Sequence, residues 1–189
     1  MFQQIDLAVS GDPSADFNVK DLIPSTEGDI EEMWAKLRSL VEENTRRPCV
    51  LELLNNILDK QEKAIKSYPA GIEIHHCYWG GFLEHVLSVL EGVLLHVDRY
   101  PNLDGDLLVA GAVLHDIGKP TTKSVERNGR VRFLGHANVG VDLTTKIMKR
   151  LRFSRRGIDF VSKIVEHHLR PGQLAAKGMI PTKRAIYRY

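Results

Sequence analysis

Apolar residues recur at three- and four-residue spacing through most of this chain, the period of helices that bury one face. Ser25-Thr26 precede Ile30, Met33, Trp34, Leu37, Leu40 and Val41, which predicts an amphipathic helix to about Arg46 with acidic residues in its first turn. Pro48 opens a second helix, with Leu51, Leu54, Ile57, Leu58 and Ile65 on one side and a stop near Tyr68-Pro69-Ala70-Gly71. A third is expected over about 82–98, where Leu83, Val86, Leu87, Leu90, Val93 and Leu94 are apolar. Residues 106–120, DLLVAGAVLHDIGKP, read as a central helix that is apolar almost all round, capped by Asp104 or Asp106 and stopped by Gly118-Lys119-Pro120. Two more follow, one opening at Gly135-His136 and one over 158–168, and residues 181–189 turn helical again.

Three stretches break this period. Residues 72–82, IEIHHCYWGGF, read as an irregular loop, and Asn128-Gly129 between Val125 and Val131 is a hairpin signal. Residues 1–24 alternate briefly (Ile5, Leu7, Val9) and then fill with turn formers, as a strand remnant and a linker do. The expected architecture is an all-α bundle of about six or seven helices with one small β-hairpin.

Composition narrows the class. With 43% hydrophobic and 26% charged residues among 189, the chain has an ordinary soluble balance and enough length for one good core. No apolar run approaches the roughly 20 residues that span a bilayer, Met1-Phe2-Gln3 does not open a signal peptide, and Cys49 and Cys77 form no close motif. A soluble, cytoplasmic protein without a membrane partner is expected; the sequence leaves its oligomeric state open. The net charge of +2 hides an asymmetry, since residues 1–62 carry 13 acidic against 6 basic side chains and residues 142–189 carry 3 against 12. A basic face built on Lys146, Lys149, Arg150, Arg152, Arg155 and Arg156 can attract a polyanion such as RNA, or can be a solvated helix surface.

Eight histidines are the unusual count. His85, His115, Asp116, His136 and the doublet His167-His168 each fall at or near the end of a separate predicted helix, beside apolar positions that must share one core. A buried imidazole–carboxylate pair such as His115-Asp116 needs a partner, and a metal ion satisfies both. His96 has no such company and reads as an ordinary surface or core residue.

The order H…HD…H…HH, with GGFLEH, LHDIGK and GHANVG around the histidines, resembles the HD-domain superfamily of metal-dependent phosphohydrolases. PSTEGDIEEMW, IHHCYWGGFLEH and YPNLDGDLLVAGAVLHDIGK look like 3′→5′ exoribonucleases of the YhaM type, and EHHLRPGQLA with PTKRAIYRY looks like the HD region of tRNA nucleotidyltransferases and poly(A) polymerases. The resemblance implies an HD domain over 25–189, ending short at its C-terminus, with 1–24 the remnant of an OB-like nucleic-acid-binding domain. It further implies that His85, His115 and Asp116 hold one divalent ion, and that Asp116 bridges to a second completed by His136 and by His167, His168 or both. Mn, Fe, Ni or Zn, with Mg as a further candidate, would be the ions, one or two in number. Asp116 and Lys119 would be catalytic, while Lys119, His76 and Arg170 would contact a nucleotide or RNA substrate. The family pattern also has a late Asp, whereas residues 169–189 hold no Asp or Glu. The Asp116/His136/His167/His168 half should therefore bind the better, and a catalytically impaired scaffold that binds RNA through the basic face is the alternative.

Overall fold

The structure, a computed structural model, describes residues 24–71, 76–127, 131–170 and 173. The strand remnant in 1–23, the Asn128-Gly129 turn and the helix at 181–189 fall outside the described residues. Helix α1 spans Ile30–Asn44 and is capped by Asp29, whose carboxylate accepts from the N–H groups of Glu31 and Glu32. The helix thus starts later than Ser25-Thr26 suggest, because those residues are used elsewhere. Ser25 bridges to Trp79, and Thr26 Oγ1 donates to Glu84 Oε2 at 2.7 Å.

Helix α2, Pro48–Ser67, buries Val50, Leu53, Leu54, Ile57, Leu58 and Ile65, one helical stripe, and has proline in its first turn, where a missing N–H costs nothing. Helix α3, Gly81–Arg99, turns Phe82, Leu83, Val86, Leu87 and Leu90 inward. Helix α4, Gly105–Leu114, is the core of the bundle, packed between α3 and the last helix, with all but Gly105 and Leu108 of its residues buried. Asp104 caps it through the Leu107 N–H.

α4 closes at Leu114, so His115 and Asp116 stand just past its end in a turn rather than within its last turn. Lys119-Pro120 does not stop the helix but begins a further one, the single turn α5 (Lys119–Thr122). Strands β1 (Lys123–Val125) and β2 (Val131–Phe133) then pair antiparallel, Lys123 opposite Phe133 and Val125 opposite Val131, which is the expected hairpin pairing. Helices α6 (His136–Arg150) and α7 (Arg155–His167) pack on each other, and α7 also packs on α4. The architecture is all-α with one two-stranded hairpin, as the pattern predicts. No helix among the described residues is long and apolar enough to cross a membrane.

Asp106, inside the first turn of α4, has a different task from capping. Its Oδ1 accepts from Arg46 N–H at 3.0 Å, and its Oδ2 from the Arg47 backbone N–H and Nε at 2.8 Å each, which pins the α1–α2 connection to α4. Burial alone would raise its pKa, but these three donors and the guanidinium charge hold it below the ordinary carboxylate value. A depressed folded pKa stabilises the fold above the unfolded value of about 3.9, and this is lost as pH falls through the lower folded value. Asp106→Ala is expected to cost about 2–4 kcal/mol in urea unfolding at neutral pH, and to flatten the fall of stability below about pH 4.

Candidate metal centre

The turn after α4 brings Asp116 to the middle of four imidazoles, with its carboxylate 1% exposed. On one side, Oδ2 lies 3.1 Å from His115 Nε2 and 3.5 Å from His85 Nε2, and these two nitrogens are 3.0 Å apart. On the other, Oδ1 lies 3.2 Å from His136 Nε2 and 3.3 Å from His168 Nε2, themselves 3.1 Å apart. Two triads, His85/His115/Asp116 and Asp116/His136/His168, therefore share one carboxylate.

Helix ends set this geometry. His115 follows the last residue of α4, His85 sits one turn into α3, His136 opens α6, and His168 caps α7. Gly118 permits the closest approach, since a Cβ there would lie 2.1 Å from the His136 carbonyl oxygen. Three of the rings are oriented alike. Nδ1 of His115, His136 and His168 each lies 2.7 Å from the carbonyl oxygen three residues earlier, on Ala112, Phe133 and Val165. A carbonyl only accepts, so these bonds place the proton on Nδ1 and leave Nε2 a bare lone pair.

The consequence on the Oδ1 side is a cluster of acceptors without a donor. In the Nδ1–H form His136 and His168 cannot donate to Asp116, and Oδ1 is a buried oxygen that receives no hydrogen bond. The lone pairs of His136 and His168 Nε2 face one another at hydrogen-bond distance with no proton between them. A divalent cation resolves both conflicts, and imidazole nitrogen with carboxylate oxygen suits Mn, Fe, Ni or Zn. The protonation states also fit. Burial, then the nearby His115, pushes the His85 pKa down to about 3, so its ring is neutral. His85 is therefore already in its ligating form.

Lys119 stands elsewhere than the sequence suggests. It is 5% exposed, and Nζ donates to Asp116 Oδ2 at 2.5 Å and to the Ala70 carbonyl at 2.6 Å, between the rings of Phe82 and Phe133. Because it begins α5 instead of trailing a helix, its side chain folds back beneath Asp116 and not onto an open substrate face. His167 lies outside both triads. Consecutive residues point about 100° apart on a helix, so only His168 of the doublet turns inward, while His167 Nε2 lies 3.6 Å from Glu166. Arg170 is exposed two residues past His168, with no hydrogen bond or ion pair to the cluster among the described residues. His96 bonds to the Gly92 carbonyl, away from the centre.

His76 is brought beside the centre, its ring 5.8 Å from that of His85, but outside the two triads. Its backbone is left-handed, with φ 53°. The strain is held by bonds at both ends. Its carbonyl accepts from Ala70 N–H at 2.9 Å, and its Nδ1 lies 3.0 Å from Tyr78 OH, which donates to Glu84 Oε2 at 2.9 Å. Burial, then Glu84, pushes the Tyr78 hydroxyl up to about 12, so it remains a donor. Glu84 and Tyr78 escaped the sequence reading. Their only signal was adjacency, Glu84 next to His85 and Tyr78 two residues from His76.

An all-α bundle with a shared-carboxylate His/Asp centre at its helix ends defines a metal-site protein of the histidine–aspartate type. The HD-domain family profile matches residues 82–188, more than half of the chain, and the protein belongs to that family.

Removing an inward ligand should separate the doublet. His168→Ala is expected to weaken Mn²⁺ or Zn²⁺ binding by calorimetry by about tenfold or more, and His167→Ala by less than about twofold. Chelator should lower the wild-type unfolding temperature by several degrees, and that of His168→Ala by less.

Proposed function

We propose that the protein is a metal-dependent phosphohydrolase that cleaves a phosphomonoester or phosphodiester of a nucleotide or nucleic acid, acting on RNA as a 3′→5′ exoribonuclease. HD-domain proteins generally hydrolyse phosphate esters, and this chain belongs to that family. The observation that carries the reading is the sharing of Asp116, whose two oxygens each face a separate pair of histidine nitrogens. Two positions beside one carboxylate suit a reaction in which charge develops on both the attacking and the leaving oxygen of a phosphate. Divalent ions held there acidify water and neutralise charge on a phosphoryl oxygen.

The chain's own residues divide the remaining work. His85 and His115 with Oδ2 form one position, and His136 and His168 with Oδ1 the other. Lys119 orients the carboxylate and offsets part of its buried charge. Its ammonium also competes with a cation at Oδ2, which makes the Oδ1 half the tighter of the two. His76, braced by Tyr78 and Glu84, and the exposed Arg170 are the groups assigned to the substrate's phosphate oxygens. No substrate role falls to Lys119.

Activity is read with added Mn²⁺ on a chromogenic phosphodiester and on single-stranded RNA. Asp116→Ala is expected to lower turnover at least about a thousandfold, and undiminished activity in it contradicts the reading. Lys119→Met should lower kcat with KM within about twofold, because its effect runs through Asp116 and not through substrate contact.

A further inference from the structure

The same two helices that end at the metal centre begin at a groove. Over ten residues of α4 and thirteen of α7, at about 1.5 Å per residue, the groove lies roughly 15–20 Å from Asp116. It encloses about 610 Å³, with Leu103, Phe153 and Phe160 among its apolar walls and Arg152 and Arg156 on its lining. A second, more open recess of about 560 Å³ shares Arg156 and Phe160 and adds Arg155, Asp159 and Lys163, the two adjoining along those shared side chains as a surface channel.

Three features of the channel need a ligand to make sense. Residues 149–163 carry six Lys or Arg against one Asp, and Arg152, Arg155 and Arg156 make no ion pair among the described residues. Arg47 on the far wall is different, since Asp104 and Asp106 already neutralise it. Beside these uncompensated charges, Phe160 and Leu103 are 42% and 43% exposed. Finally, Arg152 has φ 57°. It occupies the left-handed position that closes α6, where its N–H bonds to the Lys149 carbonyl and the Phe153 N–H to that of Met148. Glycine is the usual residue of this motif, because it alone adopts the conformation without penalty. A long cationic side chain is kept there against the backbone's preference.

We propose that this channel binds single-stranded nucleic acid, with phosphates on Arg152, Arg155 and Arg156 and a base stacked on Phe160. Uncompensated guanidinium groups select a polyanion, and an exposed ring beside them selects one that carries flat bases. The choice of polymer rests on the nucleic-acid reading of the substrate above, but binding requires no hydrolysis.

The test is fluorescence anisotropy with a labelled oligouridylate of about 12 nucleotides in chelator, with inorganic polyphosphate as competitor. Arg155→Glu/Arg156→Glu should weaken binding more than about tenfold and lessen the salt dependence by about two phosphate contacts. Phe160→Ala should weaken oligouridylate binding about tenfold and leave polyphosphate affinity unchanged. Arg152→Gly should raise the urea midpoint while lowering oligouridylate affinity several-fold, an opposition that a merely structural arginine does not produce. Activity on a small phosphodiester should be unchanged in all three. Full oligouridylate affinity in Phe160→Ala overturns the proposal, as does an equal loss in Lys60→Glu, a charge reversal on the exposed face of α2. Wild-type protein that binds the oligonucleotide but hydrolyses no phosphodiester leaves the channel standing and refutes the hydrolase reading.

Discussion

A carboxylate with 1% exposure is an expensive object, and the rest of this protein is arranged around the one at Asp116. Removing such a charge from water costs several kcal/mol unless positive charge and donors replace the lost hydration. Lys119 answers for Oδ2, whereas Oδ1 faces only the lone pairs of His136 and His168. The carbonyls of Phe133 and Val165 create that mismatch, since each takes the proton that its histidine could otherwise have offered. Pairing acceptors with acceptors in a buried place is tolerable in a site built for a cation.

The fold supplies what this constraint demands. α4 is short and buried nearly all round, so its end is a rigid platform rather than a frayed terminus. Asp106 ties the beginning of that helix to the α1–α2 connection, and the contact of Gly118 with the His136 carbonyl ties its end to α6. The loop carrying His76 is joined to the same platform through Ala70, which accepts from Lys119 and donates to the His76 carbonyl.

Much of this was legible in the chain. Apolar spacing located the long helices among the described residues, though not the single turn α5, because each buries one face or, in α4, nearly all of them. The histidines stood out by their helix ends, and the resemblance of their order supplied the pairing. What failed was the assignment of single side chains whose partners are distant. Ser25-Thr26 look like a cap, yet they are claimed by Trp79 and Glu84, more than fifty residues away. Lys119 is expected at a substrate-facing position just past a stop at Gly118-Lys119-Pro120, but proline is equally at home in the first turn of the next helix. Spacing alone could not divide His167 from His168; the Val165 carbonyl and the packing of α7 on α4 do so. The strain at Arg152 and His76 had no signature in composition at all.

Anomalous diffraction from crystals grown with Mn²⁺ or Zn²⁺ tests the central claim most directly. The account predicts ion density bonded to Asp116 Oδ1 and to Nε2 of His136 and His168, with any second, weaker ion on Oδ2 beside His85 and His115. Saturated crystals with no ion at Asp116, or an ion bound through the Nδ1 atoms, would contradict it.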